Sequence, residues 1–177
     1  MDNKTILLSE FVKKYTEATD TGKVKLLRGI IKTDYCPVVT KRIMLQEALN
    51  KSIVTKENIV YIDSFVSKIN FSITLMLLYT TIEFDKREDG KVDTFGAYDL
   101  LVKTGILDAV CTVIGEHELN EIGSVNSSLM DNFYTENTST QAVLIRQIKT
   151  IISSVVGVVD LLSNEEVQAK LIELENL

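Results

Sequence analysis

The sequence predicts a compact all-α fold: a helical bundle of seven to nine helices around two long apolar helices. Residues 64–84 form the longest apolar run with few charges, and residues 141–163 form a second long apolar segment. A helix that is apolar almost all round is buried in a core. At 177 residues, 45% hydrophobic and 25% charged, the chain suits a single helical domain over residues 1–177.

Two short amphipathic helices are predicted ahead of the first apolar run. The first covers residues 5–18, where apolar side chains recur at helical spacing. The second ends near Ile31 and begins at a cap on Asp20 or Thr21, because either side chain can accept a backbone N–H. The residues expected to face inward on this second helix are Val24, Leu27, Ile30 and Ile31.

A third helix is predicted over residues 38–52. It follows Pro37, the only proline, which biases the residue before it away from helical geometry. We expect Lys41 and Arg42 to lie on its outer side, together with Lys51. The residues expected to face inward are Ile43, Met44, Ala48 and Leu49.

The helix over residues 64–84 is predicted to begin at a Ser64 cap. Residues 59–62 ahead of it are either a short strand or the start of the helix. Its periodicity predicts a largely buried helix, and the side chains expected to be mostly buried are Phe65, Ile69, Met76 and Leu77.

The segment after Phe84 is the most polar part of the chain, and Asp89-Gly90 within it is a tight-turn signal. A small β-hairpin near residues 82–93, with Ile82 and Phe84 on one arm and Val92 on the other, and an exposed loop are equal alternatives.

Glycines then divide the chain into further helices. Thr94 is the expected cap of a helix over residues 95–103, and Gly105 and Gly115 bound a short helix over residues 106–114. Longer helices are predicted over residues 116–134, 141–163 and 165–175.

Charge is distributed unevenly along the chain. The basic N-terminal helices, residues 1–56, carry a net charge of +5, and the acidic helical core, residues 57–177, carries −11. Either the two regions pack on each other or are separately solvated, or the basic face meets an acidic partner or a second copy. The overall charge of −6 argues against binding nucleic acid through the whole surface.

No catalytic, cofactor-binding or metal-binding motif is legible, so we expect a protein that is not an enzyme. His117 is the only histidine, and Cys36 and Cys111 form no paired metal motif. No glycine-rich phosphate loop is present in the sequence. The Asp85 segment has partial calcium-loop spacing, but Gly96 stands where a bidentate glutamate is needed.

The candidate interface residues fall into two groups. Lys13, Lys14, Lys41 and Arg42 belong to the basic helices, and Ser153 and Gly157 form a small-residue edge on the helix over residues 141–163. That edge suits either close packing within the chain or a helix contact between copies. A signal peptide and a membrane span are not expected, since the chain starts Met1-Asp2-Asn3-Lys4 and both long apolar segments contain polar groups.

Three stretches resemble uncharacterised proteins of tailed phages and prophages of low-GC Gram-positive bacteria. They are residues 40–45, 75–83 and 97–108. The resemblance implies a phage origin and an all-helical fold, and it assigns no site residues.

The expected function is therefore that of a non-enzymatic, phage-encoded structural or virion-assembly protein in the host cytoplasm or the virion. It would act through helical protein–protein contacts with a phage or host protein, or as a homo-oligomer. The alternative is a phage anti-defence factor that binds a host protein or sequesters a small nucleotide signal.

Overall fold

The computed structural model describes residues 5–56 and 59–138, together with residue 148. The chain divides into two compact units, Met1–Asn132 and Phe133–Leu177. The described part is mostly helical, as predicted, and holds seven helices and two small two-stranded sheets. The helices are α1 (Leu8–Glu17), α2 (Asp20–Ile30), α3 (Val38–Asn50), α4 (Ser64–Tyr79), α5 (Thr94–Lys103), α6 (Ile106–Ile114) and α7 (Glu116–Thr138), and the strands are β1 (Ile6–Leu7), β2 (Ile53–Lys56), β3 (Ile59–Ile62) and β4 (Ile82–Glu83).

The second apolar helix predicted over residues 141–163, and the last helix over residues 165–175, lie outside the described residues apart from residue 148. The number of helices in the whole chain therefore stays a prediction. The sites discussed below lie in the unit Met1–Asn132.

The helix α4 occupies most of the first apolar run and packs against α3, α5 and α6. Ile69 and Met76 are 1% and 0% exposed, which confirms that they belong to the core. The predicted burial of Phe65 and Leu77 is wrong, because they are 61% and 37% exposed. Phe65 lies in the first turn of α4, and its ring contacts Phe95 at a centroid distance of 6.3 Å.

Three helices are capped by the residue before the one expected. Asp63, not Ser64, caps α4, and its carboxylate accepts the N–H groups of Phe65 and Val66 at 3.0 Å. The caps of α2 and α5 are likewise Thr19 and Asp93, not Asp20, Thr21 or Thr94. In each case the capping residue precedes the first helical residue, so its side chain can accept a free amide N–H of the first turn.

The glycine boundaries are confirmed. Gly105 has φ 69° and Gly115 has φ 91°, and these left-handed conformations end α5 and α6 where other residues would be strained.

The short strands explain two differences from the predicted elements. β1 pairs in parallel with β4, with Ile6 opposite Ile82, so α1 begins at Leu8 and not at residue 5. β2 and β3 form an antiparallel pair, with Ile53 opposite Ile62, so residues 59–62 are a strand.

A hairpin therefore lies at residues 53–62 and not at residues 82–93. In the predicted place the chain does reverse at Gly90, and Lys86 forms an isolated antiparallel bridge with Val92. The alternative of a hairpin with Ile82 and Phe84 on one arm and Val92 on the other does not form as a ladder, because Ile82 pairs in parallel with β1 and Val92 bridges Lys86.

Hydrogen bonds between residues far apart in the sequence hold α1 and α2 against the segment that follows α4. The carboxylate of Asp85 accepts the N–H and hydroxyl of Ser9 at 3.0 and 2.6 Å, so it caps the free amides at the start of α1. Thr81 donates its N–H to the carbonyl of Ile30 at 2.8 Å. On α2, burial of Leu27 and Ile30 is confirmed, whereas Val24 is 50% exposed and its predicted burial is wrong.

Candidate functional site

The helix α3 is rotated relative to the sequence-based expectation. Lys41 is fully buried, not outside, and Ile43 is 56% exposed, not inside. The buried face of α3 is Lys41, Leu45, Ala48 and Leu49.

Two stripes of side chains along α3 compete for burial, and only one of them can face the core. The stripe through Val39 and Ile43 continues into Gln46 and Glu47, which are polar. The stripe through Lys41 continues into three apolar residues, so it buries more apolar surface even though it takes a lysine inside.

Two glutamates on the first turns of α7 neutralise the buried lysine. The Lys41 ammonium lies 2.8 Å from Glu118 Oε1 and 2.6 Å from Glu121 Oε2. The side chain of Glu118 is 6% exposed, and that of Glu121 is 32% exposed. The Lys41 ammonium also lies 5.1 Å from the centroid of the Tyr35 ring, within range of a cation–π contact.

The same Glu118 oxygen joins two further elements. It accepts the Tyr79 hydroxyl at 2.5 Å from the end of α4, and the Cys36 N–H at 2.9 Å from the segment ahead of α3. One buried carboxylate therefore connects α3, α4, α7 and the segment before α3. We call Cys36, Lys41, Tyr79, Glu118 and Glu121 the buried ion cluster.

The electrostatics of the buried ion cluster favour fixed protonation states. Burial by itself would raise the pKa of Glu118, but hydrogen bonds from Lys41, Tyr79 and the Cys36 N–H outweigh it and hold that pKa below its ordinary value. Burial opposes the charge on Lys41, yet the two carboxylates raise its pKa above the ordinary value. Burial and the hydrogen bond to Glu118 raise the pKa of Tyr79 strongly.

These shifts in pKa are those of a network that stabilises the structure rather than of an acid–base site. At neutral pH Glu118 is ionised, Lys41 is charged and Tyr79 keeps its proton, so none of the three is near its titration point. The buried thiol of Cys36 also has a raised pKa, caused first by burial, which disfavours the reactive thiolate.

The outer side of α3 is an apolar surface beside the exposed guanidinium group of Arg42. Val38, Val39 and Ile43 are 45%, 69% and 56% exposed. Arg42 lies between them in sequence, is exposed, and forms no ion pair within residues 5–56 and 59–138. We call Val38, Val39, Arg42 and Ile43 the α3 face.

A groove adjoins the α3 face where α3 meets α7. Its volume is 260 Å³, and Val38 and Arg42 form the α3 side. The α7 side presents a mixture of small polar and apolar side chains, namely Ser124, Val125, Ser128, Leu129 and Asn132.

The four predicted interface residues that the structure describes do not form one surface. Lys13 and Lys14 are exposed on α1, and Lys14 lines a separate groove between α1 and α2. The two grooves share no lining residue. Lys41 is fully buried, so of the adjacent pair only Arg42 is available to a partner. Ser153 and Gly157 lie outside the described residues.

The buried ion cluster was not predicted, and only part of it had a signal in the sequence. Glu118 and Glu121 are three residues apart, so they lie on the same side of a helix. Nothing in the linear sequence connects them to Lys41, which is 80 residues from Glu121.

The sequence also offered His117, the residue directly before Glu118, as a candidate for chemistry. His117 is exposed at the start of α7. Across the described ranges, no group of three or more His, Cys, Asp or Glu side chains could hold a metal ion. Among those same residues, no helix combines the length and the apolar character needed to cross a membrane.

Comparison of the chain with protein-family models, with curated protein sequences and with solved structures finds no match in any of the three.

Proposed function

We propose that this protein is a non-enzymatic, phage-encoded structural or virion-assembly protein that binds its partner through the α3 face. The observation that carries the proposal is the exposure of three large apolar side chains around an arginine that forms no ion pair with any other described residue. Exposed apolar residues scattered singly are normal, but clustered ones mark interaction sites.

The fold itself does not account for the apolar character of the α3 face. Fully burying a valine or isoleucine side chain is worth about 1.5–3 kcal/mol, and most of that is forgone at Val39 and Ile43. Polar residues at these two positions would serve the isolated protein equally well. A partner that covers the face would recover the burial.

The buried ion cluster gives the α3 face a fixed backing. Lys41 precedes Arg42 directly and is held from inside by Glu118 and Glu121. Because α3 and α7 are joined by these buried charges, the groove between them keeps its shape when a partner binds. A site that is already ordered loses less conformational entropy on binding.

The chemistry of the face points to a helix with apolar residues and an acidic flank as the partner surface. Arg42 offers a planar, permanently charged group that pairs well with a carboxylate. Val38, Val39 and Ile43 offer an apolar surface of about two turns, as in helix-in-groove recognition. The phage origin in this proposal rests on the sequence resemblance of residues 40–45, 75–83 and 97–108.

The test is incorporation into phage particles. Particles are purified from a strain carrying either the wild-type gene or Ile43→Glu, and copies of the protein per particle are counted by quantitative mass spectrometry. The matched control is Val113→Glu, because Val113 is a similarly exposed apolar residue on α6, which contributes nothing to the α3–α7 groove.

We expect many copies of the wild type and of Val113→Glu per particle. For Ile43→Glu we expect at least about a tenfold loss of copies, because a carboxylate buried in the interface without a partner strongly disfavours binding. Absence of the wild type from particles would refute the assembly role. Equal incorporation of Ile43→Glu would refute the assignment of the α3 face.

A further inference from the structure

The groove between α1 and α2 has the composition of a small-ligand site. Its volume is 420 Å³, within the range of about 300–1,000 Å³ that is usual for ligand pockets. Phe11 and Ile30 line it and are only 1% and 4% exposed, so they form an apolar floor. The other lining residues are Thr5, Ile6, Glu10, Lys14, Lys25, Leu26 and Gly29.

The rim of this groove carries one net positive charge. Glu10 and Lys14 are four residues apart on α1, an arrangement in which the carboxylate offsets the ammonium. Lys25 stands on α2, and Glu10 is the only carboxylate among the lining residues, so the rim carries two ammonium groups against one carboxylate. None of the three forms an ion pair within the part of the chain that the structure describes.

We propose that the α1–α2 groove binds a small amphiphilic monoanion, an apolar chain that bears one carboxylate. The apolar chain lies over Phe11 and Ile30, and the carboxylate pairs with the ammonium of Lys25. A nucleotide with a terminal phosphate carries about two or more negative charges at pH 7, which a rim of net +1 does not balance. The ligand class therefore follows from the apolar floor and from the net charge of +1 on the rim together.

Gly29 offers a way to close the groove without disturbing the core. It lines the groove, lies within α2, and a Cβ built on it meets no atom within 4 Å. Gly29→Phe places a ring in the open space of the groove. Gly29→Ala is the matched control, because it changes the backbone preference in the same direction and leaves the groove open.

The probe is sodium octanoate, titrated into the full chain at pH 7 by isothermal titration calorimetry, with 1-octanol as the uncharged counterpart. We expect octanoate to bind the wild type and Gly29→Ala alike, and to bind Gly29→Phe at least about tenfold more weakly. Lys25→Gln should weaken octanoate binding about two- to fivefold, the size of an exposed ion pair, and leave octanol unchanged.

Several outcomes would overturn the inference. The first is that octanoate does not bind the wild type. The second is that octanoate binds Gly29→Phe as tightly as it binds the wild type, when circular dichroism shows that Gly29→Phe is folded. If Gly29→Phe does not fold, Lys25→Gln decides: octanoate affinity unchanged by that substitution overturns the role of Lys25 and with it the anionic ligand. Because the two grooves share no lining residue, this result is independent of the α3 face.

Discussion

Replacing the buried lysine by methionine tests whether the ion cluster holds α3 against α7. In Lys41→Met the chain length of the side chain is nearly kept, the positive charge is lost, and the carboxylate of Glu118 stays in the interior. Removing one partner of a buried ion pair typically costs about 3–5 kcal/mol of unfolding free energy.

The structure places Lys41→Met at the lower end of that range. Glu118 would keep two donors, the Tyr79 hydroxyl and the Cys36 N–H. The Glu121 side chain is 32% exposed, so water can take the place of the lysine there. We therefore expect a loss of about 3 kcal/mol at pH 7.

The assay is urea unfolding followed by far-ultraviolet circular dichroism. Arg42→Met is the control, because it removes the same charge from the next residue, which is exposed, and should change the unfolding free energy by less than about 0.5 kcal/mol. The double variant Lys41→Met with Glu118→Gln should be less destabilised than the two single variants added together, since the charge that remains buried is then removed. A loss below about 1 kcal/mol for Lys41→Met would contradict the role of the cluster.

Two further predictions concern pH and the core. The lowered pKa of Glu118 means that its ionised form stabilises the fold above the unfolded-state value of about 4.3, and that this contribution is lost as the pH falls through the folded-state pKa. The advantage of wild type over Glu118→Gln in urea unfolding should thus shrink between pH 7 and about pH 3, and a constant advantage would contradict the assignment. Ile69→Ala should lower the unfolding free energy by about 2–5 kcal/mol, and Phe65→Ala by much less, because Ile69 is 1% exposed and Phe65 is 61% exposed. Equal losses of stability for the two variants in thermal unfolding would refute this ranking.

The features predictable from the sequence were those with a local cause. Gly105 and Gly115 mark the ends of α5 and α6 because only glycine takes their left-handed conformations easily, so α6 was placed residue for residue. Long periodic segments likewise indicated where α1, α2 and α7 lie, to within a few residues.

The features missed depend on contacts between distant segments. Periodicity did not identify the buried face of α3, because that face begins with Lys41, whose partners Glu118 and Glu121 come 77 and 80 residues later. The strands β1 and β4 are two residues long, too short for an alternating pattern to show. On α4, an apolar stripe that nearly surrounds the helix did not reveal that Phe65 and Leu77 stay uncovered.

The hydrogen bonds between Ser9 and Asp85 have a consequence for how the chain is made. These residues are 76 positions apart, so at ribosomal rates of about 5–20 residues per second the start of α1 waits about 4–15 s for the carboxylate that caps it. Over the same interval β4, which packs on α1 and pairs with β1, does not yet exist. Until then α1 lacks both the carboxylate of Asp85 and its packing against β4, so Leu8, which is 1% exposed in the finished fold, is less well covered in the nascent chain.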